Sequence, residues 1–225
     1  MEDFNKENEN IESVEAEEKV EPVNEEEFEM VEDAEDEELA KKKRIGREIF
    51  SWVRIIVIAL AIALIINNFI IINANVPSGS MENTIMTGDR MIGLRTAYWF
   101  GNKPKRGQVI IFKFPDNEDE TFVKRVIGLP GEGVFIKKGK IYINNSSTPL
   151  KEDYLKEEWT EGNDFEEPFI VPEDSYFCLG DNRNVSNDGR YWRKKYVARD
   201  KILAKAEFVY WPWSDRKIIN TATYK

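Results

Sequence analysis

Residues 55–72 form an uninterrupted apolar run in which only Asn67 and Asn68 are polar. As a helix, this run is about 27 Å long, close to the thickness of a bilayer's hydrocarbon core. It has no polar face, which disfavours a core helix of a soluble domain. A cleaved signal peptide is disfavoured too, because a long acidic leader precedes the run and Asn73-Ala74-Asn75 offers no clear small-x-small cleavage site. Trp52 and Val53 extend the run on the near side. One membrane-spanning helix is therefore expected, and the rest of the chain must be arranged on either side of it.

Charge is distributed unevenly around that run. Residues 1–40 carry 19 acidic and 2 basic side chains, a formal charge of −17. Residues 41–72 carry six basic side chains against Glu48, giving +5, and residues 73–225 carry 24 basic and 22 acidic, giving +2. Self-repulsion and the lack of any sustained apolar period predict that residues 1–40 are a disordered, solvated tail. Lys41, Lys42, Lys43, Arg44, Arg47 and Arg54 stand directly before or at the start of the run. The positive-inside rule then places the N-terminus in the cytoplasm and residues 73–225 outside, since acidic residues weigh little in that rule. The acidic total argues against nucleic acid as a partner.

Two absences narrow the chemistry. The chain has no histidine, so a Ser-His-Asp triad, a Cys-His dyad and a His-ligated metal are excluded. Its single cysteine, Cys178, can form neither an intramolecular disulfide nor a cysteine-rich zinc site, and reads as a buried thiol in an apolar run.

Residues 73–225 read as all-β. Short apolar runs at residues 109–112, 122–127, 134–136, 140–143, 176–179 and 206–211 are separated by turn signals such as Pro130-Gly131, Lys138-Gly139 and Asn144-Asn145. Residues 151–167 are charged and fit a short helix or a surface loop. Aromatic clusters at Tyr98-Trp99-Phe100 and Tyr210-Trp211-Pro212-Trp213 suit core packing and a membrane interface equally.

Two segments could carry chemistry. Val76-Pro77-Ser78-Gly79-Ser80-Met81 follows the apolar run directly, and its Pro and Gly flank two serines as in a tightly shaped turn, although ordinary linkers look the same. Lys124 lies in a strand-like run where Phe122, Lys124 and Val126 share a face. Most strand lysines are solvated edge residues. A lysine desolvated by apolar neighbours instead has a lowered pKa, and its neutral amine can take a proton from a serine hydroxyl.

Read together, these residues resemble the bacterial type I signal peptidases (leader peptidases). Four segments carry the likeness in order: Pro77-Ser78-Gly79-Ser80-Met81, Thr87-Gly88-Asp89-Arg90, the stretch from Lys105-Arg106-Gly107 to Phe122-Val123-Lys124-Arg125 and on to Pro130-Gly131-Glu132, and Gly180-Asp181-Asn182-Arg183 through Asp188-Gly189-Arg190. The resemblance implies a Ser/Lys endopeptidase with the all-β fold shared with LexA-type repressors, behind one transmembrane helix and an acidic tail. It implies a plasma-membrane location, preprotein signal peptides as substrates, membrane lipid as surroundings, and neither cofactor nor metal. Ser80 resembles the nucleophile and Lys124 the general base. Ser78 and the Ser80 backbone N–H resemble the oxyanion donors. Ser186 resembles the hydroxyl that orients the lysine, and Asp181 with Arg125 and Asp188 with Arg190 resemble supporting ion pairs. The substrate is expected as an added strand along residues 73–80 and 121–124, against Val76, Pro77, Gly79, Phe122 and Val123, with small residues such as Ala one and three positions before the cut. Three positions depart from the family pattern: Asn83 in place of Pro, Gly189 in place of Ser, and Arg193 in place of Gly. Two other readings remain at this point: a different Ser/Lys protease of the same fold, and a non-enzymatic membrane-anchored β module.

Overall fold

The computed structural model describes residues 25–160 and 163–224. The first 24 residues of the expected tail lie outside the described residues. The chain divides into two units after Ile58.

Helix α1 spans Glu25–Ile65, so it takes in residues 25–40, which were expected to be disordered. The physical reason is propagation. Nucleation is the costly step, and a helix already secured by an apolar run extends cheaply through Glu, Ala, Leu and Lys, all good helix formers. Exposed Glu38–Lys42 and Arg44–Glu48 pairs at 3.7 Å add a few tenths of a kcal/mol each. The other end also differs from expectation. A π turn at Ile66–Ile70 contains Asn67 and Asn68, and Ile71 is already in a strand. Asn is a poor helix former, and Asn73 Nδ2 donates to Asn67 Oδ1 at 3.3 Å across the junction. The helical segment Glu38–Ile70 holds an 18-residue stretch of mean hydropathy 2.8 and is long and apolar enough to cross a membrane.

The second unit is a mostly antiparallel β domain. Its strands are β1 Ile71–Asn75, β2 Arg90–Leu94, β3 Val109–Phe114, β4 Asn117–Gly128, β5 Gly133–Lys137, β6 Lys140–Ile143, β7 Phe169–Ile170, β8 Ser175–Leu179, β9 Val197–Ala198, β10 Ile202–Trp211 and β11 Lys217–Ile218. The main sheet has the order β1-β2-β10-β3-β4-β8-β9, with β11 added to β10, and a smaller sheet has the order β6-β5-β7. All six apolar runs read from the sequence lie in strands. The described part of residues 151–167 is loop.

Two features of the sheet shape the site. Every step from β1 through β2, β10 and β3 to β4 is antiparallel, so β1 and β4 point the same way. β8 pairs with β4 only from Arg125 to Gly128, which leaves the first half of β4 with one open edge. Exposure follows: β4 is exposed from Asn117 to Thr121 and buried from Lys124 onward. β3 is buried over Val109–Phe112, as a central strand covered on both faces must be.

The core forms three clusters. One packs Met81 and Ile85 against Met91, Ile111 and Val209, which anchors both sides of the segment after Ser80. A second holds Phe112, Val126, Cys178 and Trp192, and Phe114 stacks on Phe122 at 4.3 Å. The third gathers Phe177, Val134 and Trp159. Cys178 is fully buried, and burial pushes its thiol far up. The aromatic clusters split: Tyr98 is buried and donates to Gln108 Oε1 at 3.0 Å, whereas Trp99, Phe100, Trp211 and Trp213 are exposed.

Candidate active site

The segment leaving β1 is pinned before it turns. Val76 N donates to the Asp89 carbonyl at 2.9 Å, and Gly88 N donates to the Val76 carbonyl at 2.8 Å. A short 3₁₀ turn, Gly79–Met81, then presents Ser80 while Met81 drops into the core. Opposite stands Lys124, where β4 passes from exposed to buried. Its Nζ donates to Ser80 Oγ at 2.7 Å and to the Val123 carbonyl at 3.1 Å, and lies 5.2 Å from the Phe122 ring centroid. Lys124 is 4% exposed and Ser80 8%. Burial pushes the Lys124 ammonium down to about 8, against the smaller opposing pull of the Asp188 and Asp181 carboxylates. Ser78 Oγ is 3.5 Å from Ser80 Oγ.

The last motif braces this pair from behind. Asn182 N donates to the Ser80 carbonyl at 3.1 Å and Asn182 Nδ2 to the Gly79 carbonyl at 3.0 Å. Gly180 lies against the same carbonyl, and a Cβ there would meet Ser186 Oγ at 2.2 Å and Ser80 O at 2.4 Å, so no other residue fits. Arg125 grips Asp181 with two bonds of 2.8 and 2.6 Å and donates to the Gly107 carbonyl at 2.6 Å and to Thr84 Oγ1 at 3.2 Å. Burial disfavours this guanidinium, but Asp181's bonds and charge outweigh it and its pKa is raised. Asp188 pairs with Arg190 at 2.7 Å, both side chains fully buried, and its other oxygen accepts from Gly180 N at 3.0 Å.

One expected contact is absent. Ser186 Oγ is buried but has no hydrogen-bond partner among the described residues. The expected bond from Ser186 to the lysine is not formed, because the amine is oriented by Ser80 and the Val123 carbonyl instead. The other candidates converge. Val76, Pro77, Ser78, Gly79, Ser80, Phe122, Val123 and Lys124 all line one groove of about 450 Å³ between the segment leaving β1 and the open half of β4.

Sequence reading missed the supports contributed by residues 152–156. Arg183 forms a buried pair with Glu152 at 2.5 Å and donates to the Gly180 carbonyl at 2.9 Å. Lys156 pairs with Glu82 at 2.7 Å. No local pattern marks these partners, because loop and turn meet only through the fold. An acidic residue in a polar loop looks solvated until a buried arginine is found beside it.

Residues 49–211 match the family model for signal peptidase, peptidase S26. The chain belongs to the peptidase S26 family. It is 35% identical over 185 residues to a probable signal peptidase I-2 of Synechocystis, covering 78% of this chain and 80% of that one. It is similarly 35% identical to signal peptidase I of Leptolyngbya laminosa over 77% of this chain and 85% of the relative, and to signal peptidase I P of Bacillus subtilis subsp. natto over 80% and 97%.

In this S26 peptidase two of the three departures from the family pattern have local causes. Asn83 has φ +83°, a conformation closed to proline, whose ring fixes φ near −65°. Its amide donates to the Tyr154 carbonyl at 2.9 Å and the Leu155 carbonyl at 3.3 Å, tying the Ser80 turn to the loop beside it. Gly189 packs under Phe177, whose ring would stand 2.8 Å from an added Cβ, so serine does not fit without a shift. Nothing in the structure explains arginine at 193: its N–H donates to Asp116 Oδ2 at 2.8 Å, as a glycine's would, and its side chain adds only an exposed 3.9 Å contact to Asp116. Asn83→Gly keeps the left-handed backbone open and loses only the amide bonds, at an expected cost of about 1 kcal/mol. Asn83→Pro forces the turn to rebuild and is expected to cost about 3 kcal/mol or more. Thermal melts of the two variants check this order; equal melting temperatures would refute it.

Proposed function

We propose that this chain is a membrane-anchored endopeptidase that removes signal peptides from exported preproteins, with Ser80 as nucleophile and Lys124 as general base. The observation that supports it best is the 2.7 Å contact between a buried, desolvated lysine amine and a serine hydroxyl lining an apolar groove. With the lysine pKa near 8, a useful fraction of the amine is neutral at neutral pH.

The neutral amine takes the Ser80 hydroxyl proton as Oγ attacks the scissile carbonyl carbon. The resulting oxyanion is met by the Ser80 backbone N–H and the Ser78 hydroxyl, donors of a kind that contribute roughly 3 kcal/mol each. Lys124 returns its proton to the leaving amine, and the C–N bond breaks. A water molecule then attacks the acyl-enzyme and gives its proton to Lys124; the C–O bond to Ser80 breaks, and Ser80 recovers its hydrogen from Lys124. The amine is oriented by Ser80 and the Val123 carbonyl.

Main-chain alternation supports strand addition. Val76 bonds toward the Gly88-Asp89 turn, so by period two the polar groups of Asn75 and the carbonyl of Pro77 turn the other way. Val126 bonds toward Gln108 and Gly107, so Thr121 and Val123 likewise turn away from β3. These four residues line the same groove. An extended substrate strand fits between them, and the narrow apolar floor by Val76 and Phe122 favours small residues, as in Ala-x-Ala. The basic cluster before the span supports a cytoplasmic N-terminus, with residues 73–225 on the outer face of the plasma membrane.

The purified chain in detergent is expected to cut a preprotein once, after an Ala-x-Ala site, as read by mass spectrometry of the mature N-terminus. Because the neutral lysine is the active form, kcat/KM should rise about tenfold per pH unit below 8 and level off above it, with no step near 6.5. A flat profile with chemistry rate-limiting would refute lysine as the base.

A further inference from the structure

The groove carries two formal charges in its lining, Lys124 beside Ser80 and Glu120 near the start of β4's open half. Because β1 and β4 run in the same direction, and Ser80 meets Lys124, Asn75 and Glu120 mark the same end of the groove. β1 begins at Ile71, directly after the π turn Ile66–Ile70, and leads to Asn75, so in chain order the Asn75–Glu120 end of the groove is the one nearer the apolar helix. A substrate whose signal segment occupies the same membrane therefore enters at the Asn75–Glu120 end and runs parallel to both strands toward Ser80. Glu120 stands four positions before Lys124, about 13 Å along a strand. Glu120 thus faces the fourth or fifth substrate residue before the cut.

Two carboxylates of the β3–β4 hairpin are occupied, and Asp119 does not line the groove. Glu118 pairs with Lys201 at 2.6 Å, and Asp116 accepts the backbone N–H groups of Arg193 and Lys194 at 2.8 Å each. Glu120 accepts only from the neutral Asn117 amide at 2.8 Å and has no ion pair among the described residues. Its charge is left uncompensated at the groove mouth.

We infer that Glu120 is a specificity-determining residue, selecting a basic or neutral over an acidic side chain at the fourth or fifth substrate position before the cleaved bond. This deepens the signal-peptidase reading and rests on it. A partly exposed pair is screened, so the effect is modest: kcat/KM for a Lys-bearing substrate should exceed that for a Glu-bearing one about two- to fivefold at low ionic strength.

The experiment uses the full-length protein in detergent and three otherwise identical preproteins with Lys, Gln or Glu at those positions. Glu120→Gln should abolish the Lys-over-Glu ratio and Glu120→Lys should invert it. Asp119→Asn, which changes net charge equally but does not line the groove, should leave it unchanged. A ratio indifferent to residue 120, or a charge preference found only after the cut, would overturn the inference. The Gln substrate keeps the two ideas apart. If the unaltered protein fails to cut it, the peptidase reading falls and the inference with it. If cleavage is intact while the ratio ignores residue 120, the inference alone falls.

Discussion

Lys124→Met is expected to be inactive yet no less stable than the parent protein at pH 7. Loss of the base should lower kcat by at least about 10³-fold, and Ser80→Ala should do the same, because the two groups act as one unit. The stability side follows from burial. The Lys124 pKa falls from 10.5 in the unfolded chain to about 8 in the fold. Between those values the unfolded chain holds more protons, so parent stability rises with pH from about 8 to about 10.5, and that increment is missing below 8. At neutral pH the parent therefore carries a destabilising buried ammonium, on the order of 3 kcal/mol. Methionine fills a similar volume with no charge to desolvate. Melting curves of both proteins from pH 7 to 10 should show the variant's advantage shrinking as pH rises. Full residual cleavage by either variant would sink the dyad; a variant that fails to fold at pH 7 would show that the lysine is structural.

Asp181→Ala is expected to be the most damaging single change to stability. It strands Arg125, 2% exposed, without its bidentate partner and also removes a bond to Thr84. Breaking a buried pair in this way costs about 3–5 kcal/mol, which for a domain of this size lowers the melting temperature by roughly 10 °C. Because the penalty is an uncompensated charge rather than a lost attraction, the double variant Arg125→Met with Asp181→Leu should recover much of it. Activity should not return in full, because Arg125 follows Lys124 on β4 and Asp181 precedes Asn182, which holds the Ser80 carbonyl. Denaturation of the two singles and the double, read with cleavage rates, separates these effects. Additive losses in the double variant would contradict the account.

Local patterning carried much of the site and of the sheet. Strand runs such as 109–112 and 176–179 are readable because a buried strand needs continuous apolar residues and a turn needs Gly, Pro or Asn. That Ser80 and Lys124 meet was expected from the family resemblance of their two motifs, the missing histidine leaving serine with lysine as the most economical pair. Ser186 shows the limit of motif reading. Its position in the motif is as expected, but whether its hydroxyl reaches the amine depends on how the Gly180 turn packs on Ser80, a distance that no spacing encodes. Residues 25–40 show another limit: net charge argued for disorder, while helix propagation from the neighbouring apolar run prevailed.

From its residue order alone this protein was bound to have one apolar helix, a β domain and no histidine chemistry, because those depend on composition, period and charge sign over short stretches. The groove was settled only in three dimensions. It exists because β10, from the far end of the chain, inserts between β2 and β3, bringing β1 and β4 into parallel with one edge of β4 left open. The same non-local packing buries Lys124 enough to bring its pKa down to about 8, and leaves Glu120 as the groove's one uncompensated carboxylate among the described residues.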